Sequence, residues 1–593
     1  ARLLELWVKG LAVDWRLLYG DTHPPRVPLP TYPFAKEHYW IGRPETVPAA
    51  KAPVLVAQPA VPAAQPPAKA PAPRWLKVAE RWVEAPPSAQ LEKGKAGQRL
   101  LVLYRHEQDV LGMRRALAQA WAGDAHHLQV DALQLPDGPA TAAPLDGYLA
   151  AHRAPDAVFW FSGAFADPSR ELAGVLLAMQ TLMNRAAAQA LELFYCYPHT
   201  GSEEQIHQEG LSGLFRAAAL EWPSHCYRTI EYPAGGAPQD YAAIVREWAG
   251  QSTANHVFAQ LPMVRYRDGK RQVTRLAELA VPEPIAAPVK LRHGGTYLMV
   301  GALGEVGLSV CCTLARSHAP RLVILSRRPD DAELRRQLKQ ITDAGAQVIY
   351  RSVDVTDEDR LAQTLAALKA EAGPIHGVFH LARAVDDGPL RTKRVESFDR
   401  TIAAKVRGTL NIDKLTTGEP LDFFIAFSSM AAFGIEGSAD YGYATAFQNA
   451  FVRDRNLRLT RGERSGRSLA LCWGQWRVDA YASEQRLAAV KRLGFDLIEA
   501  PQVVPLIEAA LQDRAEVVGI MAVNDARQVR QLYGLEQALE QTSAPSLGRL
   551  LELDPALDRA RRVLLEQSPE QLAALYASLT NGTGQESSWN HQG

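Results

Sequence analysis

The sequence predicts an α/β protein of two doubly wound, mostly parallel sheets, the first truncated and without nucleotide chemistry, the second catalytic. Apolar runs of strand length alternate with helical patterns from about residue 74 to about residue 540, as parallel βα units require. The alternation restarts near residue 289 with a glycine-rich turn, GALGEVG, between a strand and a helix. The matching turn of the earlier half, Arg105-His106-Glu107-Gln108, contains no glycine.

Taken in order, residues 1–44 pair a short helical pattern with the run PRVPLPTYPFAKEHYW, whose aromatics are expected to pack on a neighbouring domain. Residues 45–73 are almost wholly Ala, Pro, Val, Lys and Gln, too poor in apolar volume to offset chain entropy, and read as a disordered linker. The region 74–288 is expected to hold strands at Arg99–Tyr104, Ala157–Phe161 and Leu191–Tyr197 and helices at Val110–Ala122 and Ser169–Ala188. A hairpin is expected within His256–Leu276, with Asp268-Gly269 as its turn. The region 289–540 is expected to hold strands at Thr296–Val300, Leu322–Leu325, Val348–Val353, Ile375–Leu381, Phe423–Ser428 and Ser468–Trp473. Helices at Leu308–Ser317, Asp357–Glu371, Val395–Leu415 and Tyr441–Arg461 alternate with them. Residues 541–593 carry one helical pattern, Ser568–Leu579, opened by a Ser568/Gln571 capping box, and a polar tail.

Composition bounds the function. Lys plus Arg and Asp plus Glu balance at 65 each, so overall charge calls for neither nucleic acid nor an anionic membrane. The five cysteines have no metal-ligand spacing and read as reduced thiols of a cytoplasmic protein. No apolar run is long enough to span a bilayer, and the start at Ala1, inside a patterned segment, reads as a piece of something longer.

The stretch Gly294–Arg328 is the centre of the reading. Strand, glycine turn, helix and second strand form a βαβ unit in which Gly301, Leu303, Gly304 and Gly307 make the turn. Glycines there let backbone N–H groups approach a pyrophosphate at the positive end of the helix. An acidic residue at the end of the second strand would grip a ribose hydroxyl, whereas Ser326, Arg327 and Arg328 suit a 2′-phosphate, and the cofactor reads as NADPH.

Ketone reduction needs an acid beside the carbonyl oxygen and a hydroxyl to bind the developing oxyanion. Ser429 ends the strand FFIAFSS, and Tyr441 opens the next helix twelve positions on. Lys405, on the preceding helical segment, is the candidate cation that stabilises the phenolate. His380, Asp354 and Trp473 also stand just past strand ends, and His380 reads as structural.

From about residue 74 to about residue 540 the chain resembles the ketoreductase domain of a modular type I polyketide synthase, a Rossmann-like relative of the short-chain dehydrogenases/reductases. FFIAFSS, LDFF, ADYGYATAF and LCWGQW all have counterparts in that family. The resemblance implies Lys405, Ser429 and Tyr441 as catalytic residues, with Thr445 where the family has asparagine, its hydroxyl expected to order a water. It implies Asp354 and Val355 at the adenine, Ala382 beside the cofactor, and Arg327 at the 2′-phosphate. Arg383 stands where the family usually has glycine, HLARAV against HAAGV. Val385-Asp386-Asp387 resembles the signature of members that give the D (3R) alcohol, the B type, and Trp473 joins them as a substrate-side residue. The implied reaction reduces a β-ketoacyl thioester on an acyl carrier protein, and a reductase-shaped domain without turnover is the alternative. YPFAKEHYWI resembles the tail after a ketosynthase, and with no acyltransferase between, the arrangement resembles synthases whose acyltransferase acts in trans. No metal is implied.

Overall fold

The computed structural model describes residues 74–535, except 88–96, 122–127, 164, 166, 188, 251–262, 280–282, 286, 385 and 479–483. The expected tail 1–44, the linker 45–73, the helix Ser568–Leu579, part of the 256–276 hairpin segment and Val385 therefore lie outside the described residues.

The strands in chain order are β1 (Arg74–Glu84), β2 (Arg99–Tyr104), β3 (Gln129–Gln134), β4 (Ala157–Phe161), β5 (Leu191–His199), β6 (His225–Pro233), β7 (Val264–Arg267) and β8 (Lys270–Glu278). The second half supplies β9 (Thr296–Val300), β10 (Arg321–Ser326), β11 (Gln347–Ser352), β12 (Gly377–His380), β13 (Phe423–Ser429), β14 (Arg467–Trp473) and β15 (Val517–Val523). They lie in one fifteen-stranded sheet, in the order β11-β10-β9-β12-β13-β14-β15-β1-β8-β7-β6-β5-β4-β2-β3.

From β9 to β15 every pairing is parallel, and the winding reverses at β9, with β10 and β11 on one side and β12 on the other. All residues of β9 and β15 are buried, as expected of strands covered by helices on both faces. A reversal of this kind opens a ligand crevice at the carboxyl ends of the strands. The first half reverses likewise at β2, with β3 on one side and β4 on the other. Its crevice is filled from within: a Cβ on Gly163 would stand 2.5 Å from Arg105 Cδ, and the Arg105 guanidinium is paired with Glu171 and Asp137. The glycine-free turn thus places an arginine where a phosphate would need space.

The two halves, read from sequence as separate sheets, are joined by β1, which runs antiparallel to both β15 and β8. The charge that hides β1 in the sequence is neutralised in place, since buried Glu80 accepts from Arg216 at 2.9 Å and Arg453 at 2.6 Å. The β7–β8 hairpin closes on Asp268 and Gly269, both with positive φ, the loop conformation that an Asp-Gly pair favours. Among the described residues no helix is long and apolar enough to cross a membrane, and no cluster of three His, Cys, Asp or Glu could hold a metal ion.

Candidate active site

A cavity of about 1030 Å³ lies at the carboxyl ends of β9 to β14. Its lining gathers Gly301, Leu303, Gly304, Gly307, Ser326, Arg327, Asp354, Val355, Ala382, Asp387, Lys405, Ser429, Tyr441 and Trp473. Of the remaining residues predicted from sequence, Thr445 and Asp386 do not line it.

The glycine turn divides its work. Gly301 has φ +75°, and a Cβ there would stand 2.4 Å from Ala382 Cα. A Cβ on Gly307 would stand 2.5 Å from the Ala302 carbonyl oxygen, which fixes the helix Glu305–His318 close to the turn. At Gly304, the N-cap of that helix, a Cβ would meet nothing within 4 Å, so the space ahead of the helix N-terminus is open. Such a cradle fits a pyrophosphate. At the end of β10, Arg328 donates to Gln337 at 2.8 Å, while the largely exposed Arg327 has Asp354 only at 3.7 Å. Burial opposes ionisation of Asp354, but bonds from Thr356 and the nearby Arg327 hold its carboxyl below the usual range.

The lysine is delivered differently from the expectation. The helix expected over 395–415 is two, Val395–Ala403 and Arg407–Leu415, and Lys405 sits in the turn between them. Both Lys405 and Val406 N–H bond back to the Ile402 carbonyl, so the chain tightens there. Lys405 is 1% exposed, and its Nζ donates to the Phe427 carbonyl at 2.6 Å and to Gln448 Oε1 at 3.0 Å. Burial, reinforced by the neighbouring Arg383, lowers its pKa to about 7. The Lys405 nitrogen lies 5.8 Å and the Arg383 guanidinium carbon 5.2 Å from the centroid of the Tyr441 ring.

Tyr441 stands in the first turn of the helix Ala439–Thr460, and Ser429 ends β13, its Oγ accepting from the Ala431 N–H at 3.2 Å. Thr445 is fully buried, and its hydroxyl is spent on the Tyr441 carbonyl at 2.8 Å, with the Gly442 carbonyl at 3.1 Å. That bond uses the hydroxyl proton, and Thr445 does not line the cavity, where the sequence reading expects it to order a water. The Asp386 carboxylate accepts from Ser397 Oγ with Arg400 at 3.6 Å, its backbone carbonyl accepts from Lys393 Nζ, and of the acidic pair only Asp387 lines the cavity. Trp473 lines the cavity and packs on Phe427 and Trp476, and its buried indole N–H has no hydrogen-bond partner among the described residues. His380 is fully buried, does not line the cavity, and is kept neutral by burial and by Lys405, which lower its pKa to about 3. Gln448 was not anticipated, although its place seven residues after Tyr441 puts it on the same helix face.

The family model described as the KR domain matches residues 295–478. Polyketide synthase PksM of Bacillus subtilis (strain 168) is 27% identical over 571 residues, covering 92% of this chain and 13% of that protein. Polyketide synthase PksL of the same strain is 33% identical over 270 residues, covering 45% of this chain and 6% of that protein. The chain thus spans a small fraction of the length of the curated relatives it matches. Among solved structures, a ketoreductase domain from the bacillaene assembly line aligns with TM-score 0.59 at 20% identity over 79% of this chain and all of that one. An N-terminal ketoreductase from the macrolactin assembly line aligns with TM-score 0.64 at 18% identity over 78% of this chain and 94% of that one. At such identities the likeness is one of fold.

Proposed function

From the match of residues 295–478 to the KR domain, we propose that this chain performs the NADPH-dependent, stereospecific reduction of a β-ketoacyl thioester on an acyl carrier protein. The observation that carries the reading is that Lys405, Ser429 and Tyr441 line one cavity with the glycine turn after β9. Gly301, Leu303, Gly304 and Gly307 would hold the pyrophosphate, Arg327 the 2′-phosphate, Asp354 and Val355 the adenine, and Ala382 would lie beside the ribose. When bound, the nicotinamide supplies the hydride. Ser429 Oγ donates a hydrogen bond to the ketone oxygen and orients it. Tyr441 Oη gives that oxygen its proton as negative charge develops there, a general-acid contribution of about 10²–10⁴ in rate. Lys405 stabilises the resulting phenolate and grips the nicotinamide ribose. The product is the D (3R) alcohol of the B type, a reading supported by Asp387, which faces the cavity and accepts from Ser438 at 2.8 Å. The partners are a phosphopantetheine-bearing carrier protein and a ketosynthase upstream, in the cytoplasm.

The test follows NADPH absorbance with a β-ketoacyl N-acetylcysteamine thioester, with chiral analysis of the alcohol. Oxidation that depends on Tyr441 supports the reading. A wild-type chain that neither oxidises nor binds NADPH would be an inert scaffold.

A further inference from the structure

The helix Glu203–Glu221 belongs to the half whose crevice is plugged, yet it lies against the element that carries the active tyrosine. A Cβ on Gly213 would stand 2.1 Å from the Gly442 carbonyl oxygen, so the two backbones touch one residue after Tyr441. On the same helix His207 shares a 3.1 Å hydrogen bond with the Tyr443 hydroxyl, and Arg216 donates to the Ala432 carbonyl at 3.0 Å.

Its last residue does something more specific. Glu221 Oε2 accepts the Leu390 N–H at 2.7 Å, and Oε1 accepts the Gly437 N–H at 3.2 Å. Leu390 follows Asp387 on one loop, and Gly437 precedes Tyr441 on the other. The loops also hold each other, through Gly388 N–H to the Gly437 carbonyl at 2.8 Å and Lys393 Nζ to Asp440 Oδ2 at 3.0 Å. Gln180, on the helix Pro168–Arg185, donates to the carbonyls of Leu390 at 2.9 Å and Lys393 at 2.7 Å. Only a carboxylate offers acceptors on both oxygens, so one side chain of the first half sets the spacing of the two loops that flank the cavity.

We propose that Glu221 is a positioning residue for the reduction, fixing the Asp387 loop against Tyr441 and thereby the ketone face presented and the affinity for the thioester. This rests on the ketoreductase reading above. It makes the nucleotide-free half a working part of the site, acting through loop geometry without touching cofactor or substrate.

The experiment compares the full chain with Glu221→Gln, Gln180→Met and, as a control for general loss of stability in the same half, Ile244→Val. KM and kcat for a β-ketoacyl N-acetylcysteamine thioester, the enantiomer ratio of the alcohol and NADPH binding by fluorescence are read. Loss of one amide–carboxylate bond predicts a KM rise and a fall in enantiomer ratio of roughly tenfold in Glu221→Gln. NADPH affinity is expected to stay within about twofold, because the substituted side chain reaches only the loops. Gln180→Met is expected to move both quantities in the same direction, while Ile244→Val moves neither. If Glu221→Gln does not fold, Gln180→Met decides. Variants that retain wild-type KM and enantiomer ratio overturn this proposal alone. A wild-type chain without turnover overturns the ketoreductase reading, and this proposal with it.

Discussion

Gln448 Oε1 stands 3.0 Å from Lys405 Nζ, and Gln448 Nε2 donates in turn to Thr409 Oγ1 at 3.2 Å, so a buried amide orients the buried lysine. Burial and Arg383 bring the Lys405 pKa to about 7, and reduction that needs the charged lysine is expected to decline as pH rises through that value. Gln448→Glu places a carboxylate beside the ammonium and is expected to move this limb of the kcat/KM profile up by about one pH unit or more. Gln448→Leu removes the acceptor and is expected to move it down.

The same shift couples to stability. The folded pKa of Lys405, about 7, lies below the ordinary 10.5, so the fold resists the charged form. The cost is fully present below the folded pKa and fades as pH rises toward the unfolded one. The difference in Tm between Lys405→Met and wild type is therefore expected to shift in favour of wild type between pH about 7 and about 10, which thermal melts at several pH values measure.

Tyr441→Phe is expected to lower kcat by about 10²–10⁴ with NADPH binding intact. Thr445→Val is expected to leave kcat within about twofold, because the hydroxyl serves its own helix and such a bond contributes little net. Steady-state kinetics with single-turnover controls check both.

Arg327→Ala is expected to raise KM for NADPH by roughly 10- to 100-fold through loss of a charge-assisted phosphate contact. KM for NADH, which lacks the phosphate, is expected to change little. The ratio of the two is the measurement.

Two turn glycines separate fold from ligand. Gly301→Ala forces a side chain into φ +75° and toward Ala382 Cα, and is expected to cost more than about 1 kcal/mol. Gly304→Ala points into open space, so it is expected to leave Tm nearly unchanged while weakening NADPH binding. Denaturant melts and fluorescence titration distinguish the two.

The βα alternation and the glycine turn were legible because they depend on local pattern: period, strand length and turn chemistry. Lys405, Ser429 and Tyr441 were legible as residues, but the turn that carries Lys405 was not, since TIAAKVRG reads as unbroken helix and the interruption is imposed by packing. β1 escaped because the charge of its buried Glu80 is satisfied by Arg216 and Arg453, far along the chain. Gln448, Glu221 and Gln180 act through partners on other elements, and no local pattern marks them. Thr445 was visible, whereas its bond to the helix backbone required the coordinates.

The seam strand β1, bonded on one edge to β15 and on the other to β8, leaves no free swivel between the halves. Rocking them apart would break a whole ladder of backbone hydrogen bonds, on one edge of β1 or the other. On the proposed ketoreductase reading, admission of a tethered substrate is therefore expected to rely on movement of segments at the cavity mouth, with Tyr441 carried on the continuous sheet platform beneath.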